Sequence, residues 1–164
     1  MSEQQHTEPV LSELLDTGTD VDLHQSRPVS HRRDDIIILA AIAVGGAVGA
    51  VARYLVGETW PTPAGAFPVS TLAINVVGSA LIGVLMVLIT EGRINHRLLR
   101  PFLGIGVLGG FTTFSTYTVD IQRLVASAHA DTALLYLTLT PISALLAAWV
   151  TATATRRLIN WRIQ

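Results

Sequence analysis

The sequence predicts an all-α membrane protein with four transmembrane helices, the third broken near its middle. Three observations carry this. Only 14% of the 164 residues are charged, against about 25% in soluble domains, and the mean hydropathy is +0.49. Four uncharged runs approach or reach the ~20 apolar residues that a bilayer-spanning helix needs. The third run carries a Gly- and hydroxyl-rich stretch that suits a continuous helix poorly.

The first span starts at Ile36, is uncharged to Ala52 and continues through Arg53 and Tyr54 to about Gly57. The breaker-rich segment Trp60-Pro61-Thr62-Pro63-Ala64-Gly65 separates it from the second, Val69–Thr90. Pro101–Val119 follows the cluster Arg93, Arg97, Arg100, and Thr132–Thr155 is closed by Arg156-Arg157. Gly45/Gly49, Gly106/Gly110 and Ser79/Gly83 place small residues four apart, the usual means by which membrane helices approach closely.

Before the first span, residues 1–35 hold three Arg and eight acids, a net charge of -5, and read as a disordered acidic N-terminal tail. Residues 36–164 form the four-span domain with a short C-terminal tail and carry +4. The chain has no Cys, which excludes disulfides, thiolate metal sites and Cys nucleophiles. All five His lie in tails or loops, and no acid-base pair has catalytic spacing, so the sequence reads as a non-enzyme with no nucleic-acid partner.

Four spans put the N-tail, the 91–100 loop and the C-tail on one side. That side holds nine flanking Arg, and the other holds only Arg123. The positive-inside bias predicts a multi-pass membrane protein with both termini cytoplasmic.

Within the spans, polar groups mark the candidate site. Arg53 either snorkels to the interface or lines a wet, anion-attracting vestibule. The Asn75 amide either bridges two helices or offers an N–H to an anion. The segment from Gly104 to Thr118 packs four Gly and five Ser/Thr hydroxyls into 15 residues, so a break is expected near Gly109–Thr113. A break at that depth frees backbone carbonyls, which suit a cation. Phe114 and Tyr117, three apart, share a helix face; they either pack or turn positive ring edges to a small anion, with Ser115 and Thr116 adding O–H donors.

These residues carry a resemblance. Gly45-Gly46-Ala47-Val48-Gly49-Ala50-Val51-Ala52-Arg53-Tyr54, Ser70-Thr71-Leu72-Ala73-Ile74-Asn75-Val76-Val77-Gly78-Ser79 and Gly106-Val107-Leu108-Gly109-Gly110-Phe111-Thr112-Thr113-Phe114-Ser115-Thr116-Tyr117 resemble the signature stretches of the small bacterial fluoride channels, the CrcB or Fluc family, over residues 36–155. The resemblance implies a passive fluoride exporter built as an antiparallel dimer within membrane lipid. It implies a structural sodium ion at the dimer centre, held by the carbonyls of Gly109 and Thr112. It further implies a fluoride pathway through Asn75, Phe114, Tyr117, Ser115, Thr116 and Arg53. Tyr117 departs from the family's usual Phe; its O–H could donate in place of a ring edge. Phe111 receives no fluoride contact.

The Arg asymmetry bears on the dimer. A chain that inserts both ways should have balanced flanks, so nine against one predicts pairing with an oppositely oriented paralogue, with the homodimer as the alternative. Two other functions compete with the channel. A small multidrug-type antiporter needs a membrane-embedded carboxylate, and the sequence places Glu58, Glu91, Asp120 and Asp131 outside the spans. A non-transporting assembly subunit would explain the small-residue stripes but not the hydroxyl-rich third span.

Overall fold

The computed structural model describes residues 29–91 and 96–161, with side chains from Arg32 onward. Its contacts divide the chain into Met1–Arg33 and Asp34–Gln164. The expected tail lies outside the described residues up to position 28, and from Val29 the chain is helical. The order is α1 (Val29–Thr59), α2 (Val69–Thr90), α3 (Arg100–Leu108), α4 (Gly109–Phe111), α5 (Ser115–Ala126) and α6 (Ala130–Trp161). All described regular structure is helical. Among the described residues, four helical segments are long and apolar enough to cross a membrane: Arg32–Thr59, Val69–Thr90, Arg100–Ala126 and Ala130–Trp161.

The third segment is uneven. Pro101 stands in its first turn, where a missing N–H costs nothing, and α3 has π-type turns. Gly109–Phe111 close into one α-helical turn, Thr112 is extended at φ -71 and ψ 155, and helix resumes at Ser115. The helix then runs on to Ala126, past the Val119 boundary read from charge, with Asp120 and Arg123 one turn apart at 3.8 Å. Asp120 therefore lies within a span-length helix and not in a loop, as do Glu58 at the end of α1 and Asp131 at the start of α6, whereas Glu91 follows α2. The absence of an in-span carboxylate thus no longer distinguishes a channel from an antiporter.

Close backbone approach explains the glycines. A Cβ on Gly106 would stand 2.9 Å from both the Gly45 Cα and the Ile42 carbonyl oxygen, so α1 and α3 touch through bare backbone. On the other side, α2 packs along α6, where the Thr151 hydroxyl donates to the Ala80 carbonyl at 2.8 Å. At the turn into α2, Gly65 takes φ +76, a conformation that side chains disfavour.

Few apolar side chains are covered. Tyr117, Leu124, Ala133 and Tyr136 form one buried cluster, with Phe67 meeting Tyr136 edge-on at 5.3 Å. In contrast, Leu39, Val44, Val48, Val51 and Leu55 on α1, and Leu145 and Trp149 on α6, are exposed. Water would not tolerate such a surface, whereas lipid tails or another apolar subunit would. At one end, Asp34 pairs with Arg97 at 3.0 Å and Glu91 with Arg156 at 3.7 Å, so the start of α1, the α2–α3 connection and the end of α6 share that end.

Candidate functional site

The site is organised by one amide. Asn75, buried in α2, donates from Nδ2 to the Thr113 carbonyl at 2.9 Å and accepts from the Thr113 N–H at Oδ1, 2.8 Å away. The two bonds fix which end of the amide is oxygen and leave one Asn75 N–H for another acceptor. In an unbroken helix the Thr113 N–H would reach back to the Gly109 carbonyl. Here Asn75 takes that donor, so α2 holds the non-helical residues of the third span in place. Of the two readings of Asn75, the interhelical bridge is the one seen, made to backbone.

Thr113 organises the far side as well. Its Oγ1 accepts the Thr116 N–H at 3.1 Å, a capping contact that relieves an orphan donor at the start of α5, and lies 3.2 Å from the hydroxyls of both Ser115 and Thr116. Thr113 was not among the site residues read from sequence. The signal that could have found it is a Thr three residues ahead of a helical N–H, the ordinary spacing of a cap.

Thr112 and Gly109 were expected to present carbonyls. The Thr112 N–H and hydroxyl both bond to the Leu108 carbonyl, at 3.0 and 2.9 Å, while its own carbonyl faces the Arg53 guanidinium at 3.5 Å. Gly109 is exposed. Two neutral carbonyl oxygens outside helical bonding have the donor chemistry that suits a sodium ion. The Thr112 carbonyl is already approached by the Arg53 guanidinium, whose positive charge competes with a cation at that oxygen.

The aromatic pair is not symmetric. The rings of Phe114 and Tyr117 lie 5.7 Å apart, yet Phe114 is 79% exposed and Tyr117 only 8%. Tyr117 packs on Tyr136 at 5.2 Å, and its O–H donates to the Leu137 carbonyl at 2.7 Å. Its phenol is thus already engaged within the protein.

Two cavities meet at this seam. One, of about 530 Å3, is lined by Asn75, Ser79, Thr112, Phe114, Tyr117 and Pro141, among others. The other, of about 440 Å3, is lined by Arg53, Thr71, Thr116, Asp120 and Arg123, among others. Thr113 lines both. Half-buried Arg53 therefore faces a polar hollow as well as the Thr112 carbonyl. Asp120 also accepts a hydrogen bond from the Thr71 hydroxyl at 2.7 Å. Asn75 and Thr113 thus form a hydrogen-bonded seam between an apolar-walled cavity and one lined by the charged Arg53, Asp120 and Arg123. Every sequence-predicted side chain of the pathway except Ser115 lines one of the two cavities, and Ser115 stands against Thr113.

Residues 40–152 match the family described as CrcB-like protein, Camphor Resistance (CrcB). The chain belongs to the CrcB family. Among its CrcB relatives, "Fluoride-specific ion channel FluC 1" of Streptomyces coelicolor is 56% identical over 125 residues, covering 76% of this chain and 81% of the relative. "Fluoride-specific ion channel FluC 2" of Nocardia farcinica is 50% identical over 130 residues, covering 74% and 93%. "Fluoride-specific ion channel FluC" of Saccharophagus degradans is 39% identical over 124 residues, covering 76% and 93%. This CrcB chain is thus a member of an ion-channel family and not an enzyme.

Proposed function

We propose that this chain is a fluoride-specific channel through which fluoride leaves the cytoplasm passively, lowering its concentration there. The observation that carries the proposal is the close relationship, over three quarters of the chain, to proteins named as fluoride-specific ion channels. The chemistry agrees. A carboxylate-sized ion moved into low dielectric costs on the order of 20 kcal/mol, and smaller fluoride costs more, so a path must supply donors in place of water. The free Asn75 N–H, the Thr116 hydroxyl and the ring edge of Phe114 are such donors, all neutral, and the Ser115 hydroxyl joins them on turning away from Thr113. A membrane potential supplies about 2.3 kcal/mol per charge per 100 mV, enough to drive an anion outward with no other energy source. Arg53 concentrates fluoride at the mouth. Replacing Arg53 with Gln is expected to slow fluoride entry roughly tenfold at low ionic strength, with the deficit shrinking above about 0.15 M salt. Flux measured across a salt series checks this.

The assembled form in this proposal is an antiparallel dimer with both termini of this subunit cytoplasmic. Its partner is an oppositely oriented paralogue, with a second copy of the chain as the alternative. The carbonyls of Gly109 and Thr112, joined by the partner's, would hold a sodium ion at the dimer centre. That ion supplies fixed positive charge that ties the interrupted spans together. The break itself serves function here, since it is what exposes those carbonyls and the Thr113 backbone.

Two experiments test the proposal. Expressed in a bacterium lacking its own fluoride exporter, alone or with a paralogue, the chain should restore growth in fluoride medium; continued sensitivity despite membrane-inserted protein would count against it. Because the chain has no Cys, single introduced cysteines report topology cleanly. A residue in the 91–100 loop should label only from the cytoplasm, and equal labelling from both sides would favour the homodimer.

A further inference from the structure

Pro141 sits inside α6 and has no N–H. The carbonyl it would have bonded is that of Leu137, four residues back. That carbonyl accepts the Tyr117 O–H at 2.7 Å, a bond between spans that replaces the missing bond within one. Tyr117, Leu137 and Pro141 line the same cavity as Asn75 and Phe114. Inside a bilayer, where water cannot stand in, an unpaired backbone carbonyl is strongly disfavoured.

We propose that Tyr117 is a positioning residue: its phenol takes the place of the donor that Pro141 removes from Leu137, and this bond fixes its ring in the cavity wall beside Phe114. The proposal rests on the channel reading for its functional half, and on geometry alone for the pairing. It accounts for the contrast within the aromatic pair. Tyr117 is held at three places, by the Leu137 carbonyl, by Tyr136 and by Phe114, while Phe114 is left open on most of its surface. A fixed Tyr117 ring gives the cavity a constant wall beside the more exposed Phe114. It also explains why a phenol is tolerated where a small anion passes, since the O–H is spent on backbone and adds no further binding group.

The test is a cycle of four proteins: the parent, Y117F, P141A and Y117F/P141A, each read by thermal stability in detergent and by fluoride efflux from vesicles. With Pro141 present, Y117F should lower the melting temperature and slow efflux about tenfold, the equivalent of roughly 1.4 kcal/mol. In the P141A background residue 141 regains its N–H, so the same substitution should change efflux by less than about twofold and leave the melting temperature nearly unmoved. If Y117F fails to assemble, recovery of assembly in the double variant supports the pairing equally. An equal loss from Y117F in both backgrounds overturns the pairing. A loss of stability with unaltered efflux overturns the positioning role. A parent protein that releases no fluoride defeats the channel reading instead, and the stability cycle still decides the pairing.

Discussion

Replacing Asn75 with Asp is expected to abolish fluoride conduction, and replacing it with Ala to lose both conduction and stability. The two fail for different reasons. Aspartate keeps an acceptor for the Thr113 N–H but sets an oxygen without a proton against the Thr113 carbonyl, and it fixes a negative charge beside an anion path. A like charge about 4 Å away costs roughly 4 kcal/mol at an effective dielectric of 20, which is about a thousandfold in rate. Alanine carries no charge but leaves the Thr113 N–H and C=O unpaired, at about 1–3 kcal/mol for each. Efflux rates and thermal melts of both variants separate the two effects. Unchanged flux in Asn75→Asp would remove Asn75 from the path, and an unaltered melt in Asn75→Ala would deny it the role of clamp.

The second large effect is at the helix contact. Gly106→Val places branched carbons where the Gly45 Cα and the Ile42 carbonyl already stand, and backbone cannot rotate away as a flexible side chain can. The first and third spans must separate, which removes close packing along both. Overpacking of this kind typically costs about 1–3 kcal/mol and more where the neighbour is backbone. The expected result is loss of a monodisperse species in size-exclusion chromatography, accompanied by loss of fluoride release. Gly46→Ala is the control, since a Cβ there meets nothing within 4 Å. A well-assembled Gly106→Val protein would show that this contact does not organise the bundle.

What the sequence made legible follows from how lipid simplifies the problem. With charge excluded from the bilayer core, uncharged runs mark spans directly, and all four appear in the structure with shifted ends. The ends shift where helices run on through charged residues. Asp120 and Arg123 read as loop residues, yet α5 passes through both to Ala126, the two standing 3.8 Å apart. The irregularity of the third span was legible as an accumulation of Gly and Thr. The extended residue, Thr112, falls within the Gly109–Thr113 window, but what holds it there was not legible, because the partner of Thr113 lies in α2, 38 residues away in sequence. Tyr117 illustrates the same limit. Local spacing sets it on a face with Phe114, but its burial and its bond to Leu137 depend on α6, and in particular on a proline that sequence reading had no reason to connect with it.

In the proposed channel, a neutral, donor-lined path around Asn75 and Thr113 conducts fluoride without coupling to protons. The most direct test is fluoride release from vesicles containing this chain, alone and with a candidate paralogue, followed with a fluoride electrode while internal pH is recorded. Rapid release is expected once a potassium ionophore balances the charge, with little release before it and no matching proton flux through the protein. Absence of release from correctly assembled protein in both settings, or release that requires an opposing proton gradient, would contradict it.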